Sequence, residues 1–200
     1  MKKIEMIWRE ILYQILEKKN NRFIQKDLAA RFSFSTSTVF QALLPLRQMG
    51  AVRVSGRDFR LEDPEKLLYY WASFRDFSRE IIYQTRVSLP MNEIEGRMLP
   101  EAVFGGFSAY RFRYSDTPAD YDRVVVYLKD KQSLLEEAKQ RYPGQKGTTN
   151  LLILKADPFL SIYGQLTTIA QTFVDLWNLP EWYAKEYVKA LKEKIDAALS

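Results

Sequence analysis

Asp120 and Asp122 stand one residue apart just ahead of the apolar run VVVYL at 124–128, and a Gly105-Gly106 pair precedes them. On a strand, alternate positions would aim both carboxylates at one magnesium ion, the arrangement that metal-dependent phosphoryl transfer needs. Two features weigh against that chemistry. The acids fall in a polar, proline-containing approach, SDTPADYD, where an ordinary solvent loop would hold the same residues. The next clear apolar run, LLILK at 151–155, brings no third carboxylate before Asp157. Cysteine and histidine are absent altogether. That removes disulfides, the common zinc sites and every nucleophilic mechanism that depends on either side chain, while a carboxylate-bound magnesium stays open. On this pattern no catalytic residue, metal ligand or cofactor is assigned.

A second set of residues suits binding rather than catalysis. Arg53, Arg57 and Arg60 fall within eight residues on either side of Gly56, and Thr36, Ser37, Thr38 and Gln41 open an apolar-periodic segment. Guanidinium groups neutralise phosphates, hydroxyls serve phosphates or base edges, and the Gln41 amide can pair with adenine. Residues 1–63 hold 12 Lys/Arg against 7 Asp/Glu, whereas the remainder balances at 18 of each, so the whole net charge of +5 lies in the first third. One module facing a polyanion would produce that asymmetry, and so would a merely soluble basic face. Tyr110, Arg111, Arg113 and Tyr114 could also contact an anion, although the two arginines share a face only if that stretch is extended.

The elements that must position these groups can be read from periodicity. Ile4, Ile7, Trp8, Ile11, Ile15 and Leu16 recur at threes and fours, with charges between them, and predict a first helix packed on one side and ended by Asn20-Asn21. Its basic start has the look of an export signal, but Glu5, Arg9, Glu10 and Glu17 interrupt any apolar core. A cytoplasmic protein without a membrane partner is expected, since no run approaches the roughly 18 apolar residues of a bilayer span. Phe23-Ile24 suits a short extended piece, residues 25–31 a second helix, Ser33–Ser35 a tight turn with Ser35 as cap, and residues 36–50 a third helix. That helix should bury Val39, Leu43 and Leu46, carry Phe40 and Met49 at its edges and end at Gly50. AVRV and FRLE then predict a hairpin turning at Ser55–Asp58.

The run DLAARFSFSTSTVFQALLPLRQMGAVRV resembles the prokaryotic winged helix-turn-helix regulators, over about residues 8–62. The resemblance implies that the recognition helix starts near Thr36, that Thr36, Ser37, Thr38 and Gln41 face the major groove of double-stranded DNA, and that Lys26, Arg47, Arg53, Arg57 and Arg60 support it on phosphates and wing. Pro45 departs from the pattern, because it removes a backbone donor inside the helix and can kink it. Winged helices also serve as protein-docking modules, so a scaffold is a further alternative.

An α+β chain follows, with a winged helix-turn-helix domain at 1–63, a connecting helix and linker at 64–87 and an α/β domain at 88–200 whose small sheet is covered by helices. The connecting helix begins at Pro64, and its apolar face of Leu67, Leu68, Trp71, Phe74, Phe77 and Ile81 could pack on the first domain, on the second or across a dimer axis. Residues 81–87 could begin a strand. Beyond it the pattern gives a short helix near 92–99, a glycine turn feeding a helix at 102–112, strands at 124–128 and 151–155 around a helix at 131–142, a helix at 162–177 and a last one from Pro180 with Trp182, Tyr183, Tyr187, Val188, Leu191 and Ile195 inward. Three segments of this half resemble the AbiEi family of type IV toxin-antitoxin antitoxins: Gly105–Ala109 followed by VVVYL, residues 171–177 and the helix at 181–191. The resemblance implies a DNA-binding autorepressor that counters a cognate toxin protein. Function is thus expected to be sequence-specific binding of duplex DNA in transcription regulation, with a homodimer possible. A magnesium-dependent nucleotidyltransferase, which also sets a glycine turn before paired acids, is the alternative.

Overall fold

The computed structural model describes residues 1–56 and 58–199. They form an α+β protein with two compact units. One comprises Met1–Arg75, Thr168–Ala170 and the stretch from Ile195, and the other comprises Asp76–Thr167 with Gln171–Lys194.

The first unit runs α1 (Lys3–Lys18), β1 (Phe23–Ile24), α2 (Gln25–Arg31), α3 (Thr36–Gln48), β2 (Val52–Ser55), β3 (Asp58–Leu61) and α4 (Pro64–Phe74). Its sheet has the order β1-β3-β2 with antiparallel pairs throughout. Ile7, Trp8 and Ile11 of α1, Val39, Leu43 and Leu46 of α3, and Phe59 and Leu61 of β3 make a closed core. The Trp8 indole N–H donates to the Ala42 carbonyl at 2.8 Å, which meets the one polar demand of that ring. α4 covers α1: the Tyr70 and Phe74 rings stand edge-on to Trp8 at 5.2 and 5.1 Å.

The charges of α1 differ from the one-sided helix expected. Glu5, Arg9 and Glu10 are buried rather than solvated, because α1 is enclosed on more than its apolar stripe. Each gains polar contacts there. Glu5 accepts from the Trp71 indole at 3.1 Å and from Arg75 at 3.3 Å, and Glu10 pairs with Arg31 at 3.0 Å. α4 also ends earlier than its apolar periodicity suggests. Phe77 belongs to a 3₁₀ turn at Phe77–Glu80, and Ile81 opens the next strand.

The second unit contains β4 (Ile81–Thr85), α5 (Met91–Gly96), β5 (Val103–Gly105), α6 (Gly106–Tyr114), β6 (Val124–Leu128), α7 (Gln132–Arg141), β7 (Leu151–Lys155) and most of α8 (Ile169–Asn178) and α9 (Ala184–Leu199). Its sheet is ordered β4-β7-β6-β5, with β6 and β7 parallel and both edges antiparallel. Every residue of β6 is buried, as a strand covered on both faces requires. Val124, Val126, Leu128, Leu151 and Ile153 pack with Ile94 of α5 and Ala138 of α7; Val125 and Tyr127 face the other way, toward α6 and α8.

Two expectations fail here for a common reason. The glycine turn is preceded by a strand, β5, and the helix expected from residue 162 begins only at Ile169. Phe104 N–H donates to the Gln165 carbonyl at 2.8 Å and Thr167 N–H to the Phe104 carbonyl at 2.9 Å. Residues 165–167 therefore commit their backbone groups to β5 instead of to a helix. The last helix likewise starts at Ala184, and Trp182 is 75% exposed rather than inward; Trp177 of α8 is 45% exposed. Val188 is only half-buried, whereas Tyr183, Tyr187, Leu191 and Ile195 are buried as expected.

Candidate nucleic-acid interface

The start of α3 is built by its own side chains. Ser33 takes a left-handed conformation (φ 52°) that closes the turn after α2, and Ser35, extended at φ −73° and ψ 152°, accepts from Thr38 N–H at 3.2 Å. The Ser37 and Thr38 hydroxyls lie 3.1 and 2.9 Å from Ser35 Oγ. Thr38 is thus half-buried and committed to the cap, whereas Thr36, Ser37 and Gln41 are exposed. One side of the helix is closed by Val39, Ala42, Leu43 and Leu46. The other presents Ser37, Gln41 and Arg47 to solvent. Pro45 lies inside α3, which continues to Gln48. Having no N–H, it leaves the Gln41 carbonyl without its helical donor.

Phe40 stands on the same open side and is 41% exposed, a position that sequence reading gave to the edge of the core. The Arg47 guanidinium sits 6.0 Å from its ring centre. The signal for this was present: Phe40 falls between Ser37 and Arg47 in helical phase, one residue past the buried Val39. Neither acid type occurs between Asp27 and Asp58, so α3, its flanking turns and β2 carry no carboxylate.

The hairpin register puts Arg53 directly opposite Arg60, while Val54 faces Phe59 and Val52 faces Leu61. Strand alternation then turns both arginines outward and the apolar residues inward. An open groove of about 510 Å³ on this outer face is lined by Arg22, Arg53, Ser55, Asp58, Arg60 and Glu62. Arg53 pairs with Glu62 at 3.4 Å, both side chains well exposed, and Arg22 is paired with Asp58. An incoming phosphate would compete with two carboxylates for these guanidinium groups. Arg22 was missed from sequence because its place follows from Phe23 pairing with Phe59, a register that composition does not reveal. Lys26 is exposed near the start of α2 and Arg47 on the last turn of α3; Arg57 lies outside the described residues.

No family model and no curated protein matches the chain. The chemistry is therefore weighed on geometry alone. Asp120 and Asp122 do not occupy alternate strand positions. Both are exposed in the segment before β6, and the Tyr183 hydroxyl donates to Asp122 at 2.5 Å. Among the described residues, no three acidic side chains come together as metal ligands, and no helix is long and apolar enough to cross a membrane.

The remaining polar candidates of the second unit are also engaged. Arg111 and Arg113 lie on α6, not on an extended edge; the first pairs with buried Glu95, and the second donates to the Thr167 carbonyl at 2.7 Å. Tyr110 donates to Asp116 at 3.1 Å, Tyr121 to Glu95 at 2.7 Å and Tyr187 to the Ala119 carbonyl at 2.6 Å. Burial, reinforced by the carboxylate acceptors of Tyr110, Tyr121 and Tyr183, pushes all four phenols of this group, Tyr187 included, well above their ordinary value of 10.0. Asp175, fully buried on α8, accepts from the Tyr127 hydroxyl at 2.7 Å beside Gly105.

Proposed function

We propose that this protein is a sequence-specific double-stranded DNA-binding regulator whose first unit acts as a winged helix-turn-helix. The observation that carries the reading is the open side of α3: Ser37, Gln41 and Arg47 face solvent on a segment without a carboxylate, opposite a closed apolar side. A recognition helix needs that division, because one side must hold it rigid while the other meets base edges and phosphates. Affinity comes from phosphate neutralisation and preference from α3, so log K falls with log salt in proportion to the phosphates contacted.

The test is binding of the full chain to fluorescent duplex DNA across a salt series, for wild type and for the combined Arg53→Ala, Arg57→Ala and Arg60→Ala variant. The variant is expected to bind every sequence more weakly and with a shallower salt slope. Equal affinity of the two proteins at every salt concentration would sink the wing assignment. Within the same proposal, the second unit's resemblance to AbiEi antitoxins supports an autorepressor that engages a cognate toxin, to be checked by co-purification with the product of a neighbouring transferase gene. A protein-docking role is the second reading. It is favoured by the pairing of Arg53 with Glu62 and of Arg22 with Asp58, which offsets part of the groove's charge.

A further inference from the structure

We infer that Phe40 reads the 5-methyl group of thymine, so that the duplexes this protein prefers carry A·T pairs where α3 meets the major groove. The inference rests on the DNA-binding reading above and names what that site would select.

Phe40 is 41% exposed, whereas the apolar residues on the closed side of its helix, Val39, Ala42, Leu43 and Leu46, are at most 1% exposed. Its ring is therefore left partly open to solvent rather than enclosed with the packing that holds α3 in place. It sits in the second turn, three residues after Ser37, next to Gln41 and beneath the Arg47 guanidinium. An apolar ring framed by an amide, a hydroxyl and a cation, with no carboxylate from residue 28 to 57, suits an apolar group embedded in a polyanion. In the major groove the base-edge group of that kind is the C5-methyl of thymine, and an adjacent glutamine amide pairs with the N6 and N7 edge of adenine. Phe40 and Gln41 together thus address the two bases of A·T pairs, one through a methyl and one through hydrogen bonds. Arg47, held near the ring, remains available to a flanking phosphate.

The experiment starts from duplexes selected by the full-length protein out of a pool with a randomised centre. The enriched duplex is then compared with the same duplex carrying deoxyuridine for thymidine, which removes the methyl and leaves the pairing edges unchanged. Wild type is expected to lose about fourfold in affinity for each contacted methyl removed. Phe40→Ala is expected to bind both duplexes alike, and Phe40→Leu to retain part of the difference. Equal binding of wild type to both duplexes, or an undiminished difference in Phe40→Ala, overturns the inference and leaves DNA binding standing. Failure to enrich any duplex overturns the DNA-binding reading and this one with it. The wild-type comparison needs no variant, so it decides even if Phe40→Ala folds poorly.

Discussion

Gln41 and Gly105 show what single residues decide in the two units. Gln41 is exposed on the second turn of α3 and carries a bidentate amide. On the DNA-binding reading proposed above, Gln41→Ala is expected to flatten discrimination among duplex sequences by about 1–3 kcal/mol while leaving binding to unrelated DNA unchanged, measured as the affinity ratio of selected to scrambled duplex. Gly105 was legible as part of a glycine turn, and the reason for a glycine there is a close approach. A Cβ built there would meet Asp175 Oδ2 and Tyr127 Cε2, each at 2.8 Å. Gly105→Ala should therefore destabilise the second unit by about 1–3 kcal/mol, seen as a lowered thermal midpoint. An unchanged midpoint would mean that α8 can move away. What sequence hid was the far partner, because Asp175 lies seventy residues on and nothing local marks it as buried.

Among the elements, α2, α3 and the two parallel strands were legible because each carries its own instructions: the Ser35 cap, a clean 3.6-residue stripe, and short continuous apolar runs. Those that were misjudged depend on a partner. Residues 162–168 have the apolar spacing of a helix, but the first of them close a 3₁₀ turn and Gln165 and Thr167 give their backbone bonds to β5, and α1 carries charges that read as solvated although tertiary contacts enclose them. The site was legible to the same extent. Ser37 and Gln41 follow from helical phase, but Thr38 is held by its cap, and Arg22 enters the groove only through strand pairing. The clasp between α1 and α4 answers the question left by α4's apolar face, and it makes a quantitative demand. Glu5→Gln takes the charge from Arg75, whose side chain is 0% exposed, and weakens the acceptor of the Trp71 indole. A loss of about 3 kcal/mol is expected from urea unfolding, the low end of the cost of breaking a buried ion pair. A loss below 1 kcal/mol would show that Arg75 finds other acceptors without strain.

For the whole molecule, the asymmetric charge and the tyrosine group make separate claims on the conditions under which it works. Tyr110, Tyr121, Tyr183 and Tyr187 hold their protons more tightly when folded than the ordinary 10.0 allows. The unfolded chain therefore releases protons first as pH rises. Stability from these groups is complete below about pH 10 and falls above it. Alkaline titration followed by tyrosinate absorbance should show these phenols ionising together with unfolding, and Tyr183→Phe should make the fall less steep. Stability independent of pH above 10 would contradict the burial described. The makeup of the first unit reaches further. It contains Met1–Arg75 but also the stretch from Ile195, where Lys19 donates to the Ala198 carbonyl. A ribosome makes the first of these parts long before the last. The nascent chain thus carries an unfinished first unit through translation of the entire second one, and a chain that terminates early never completes it.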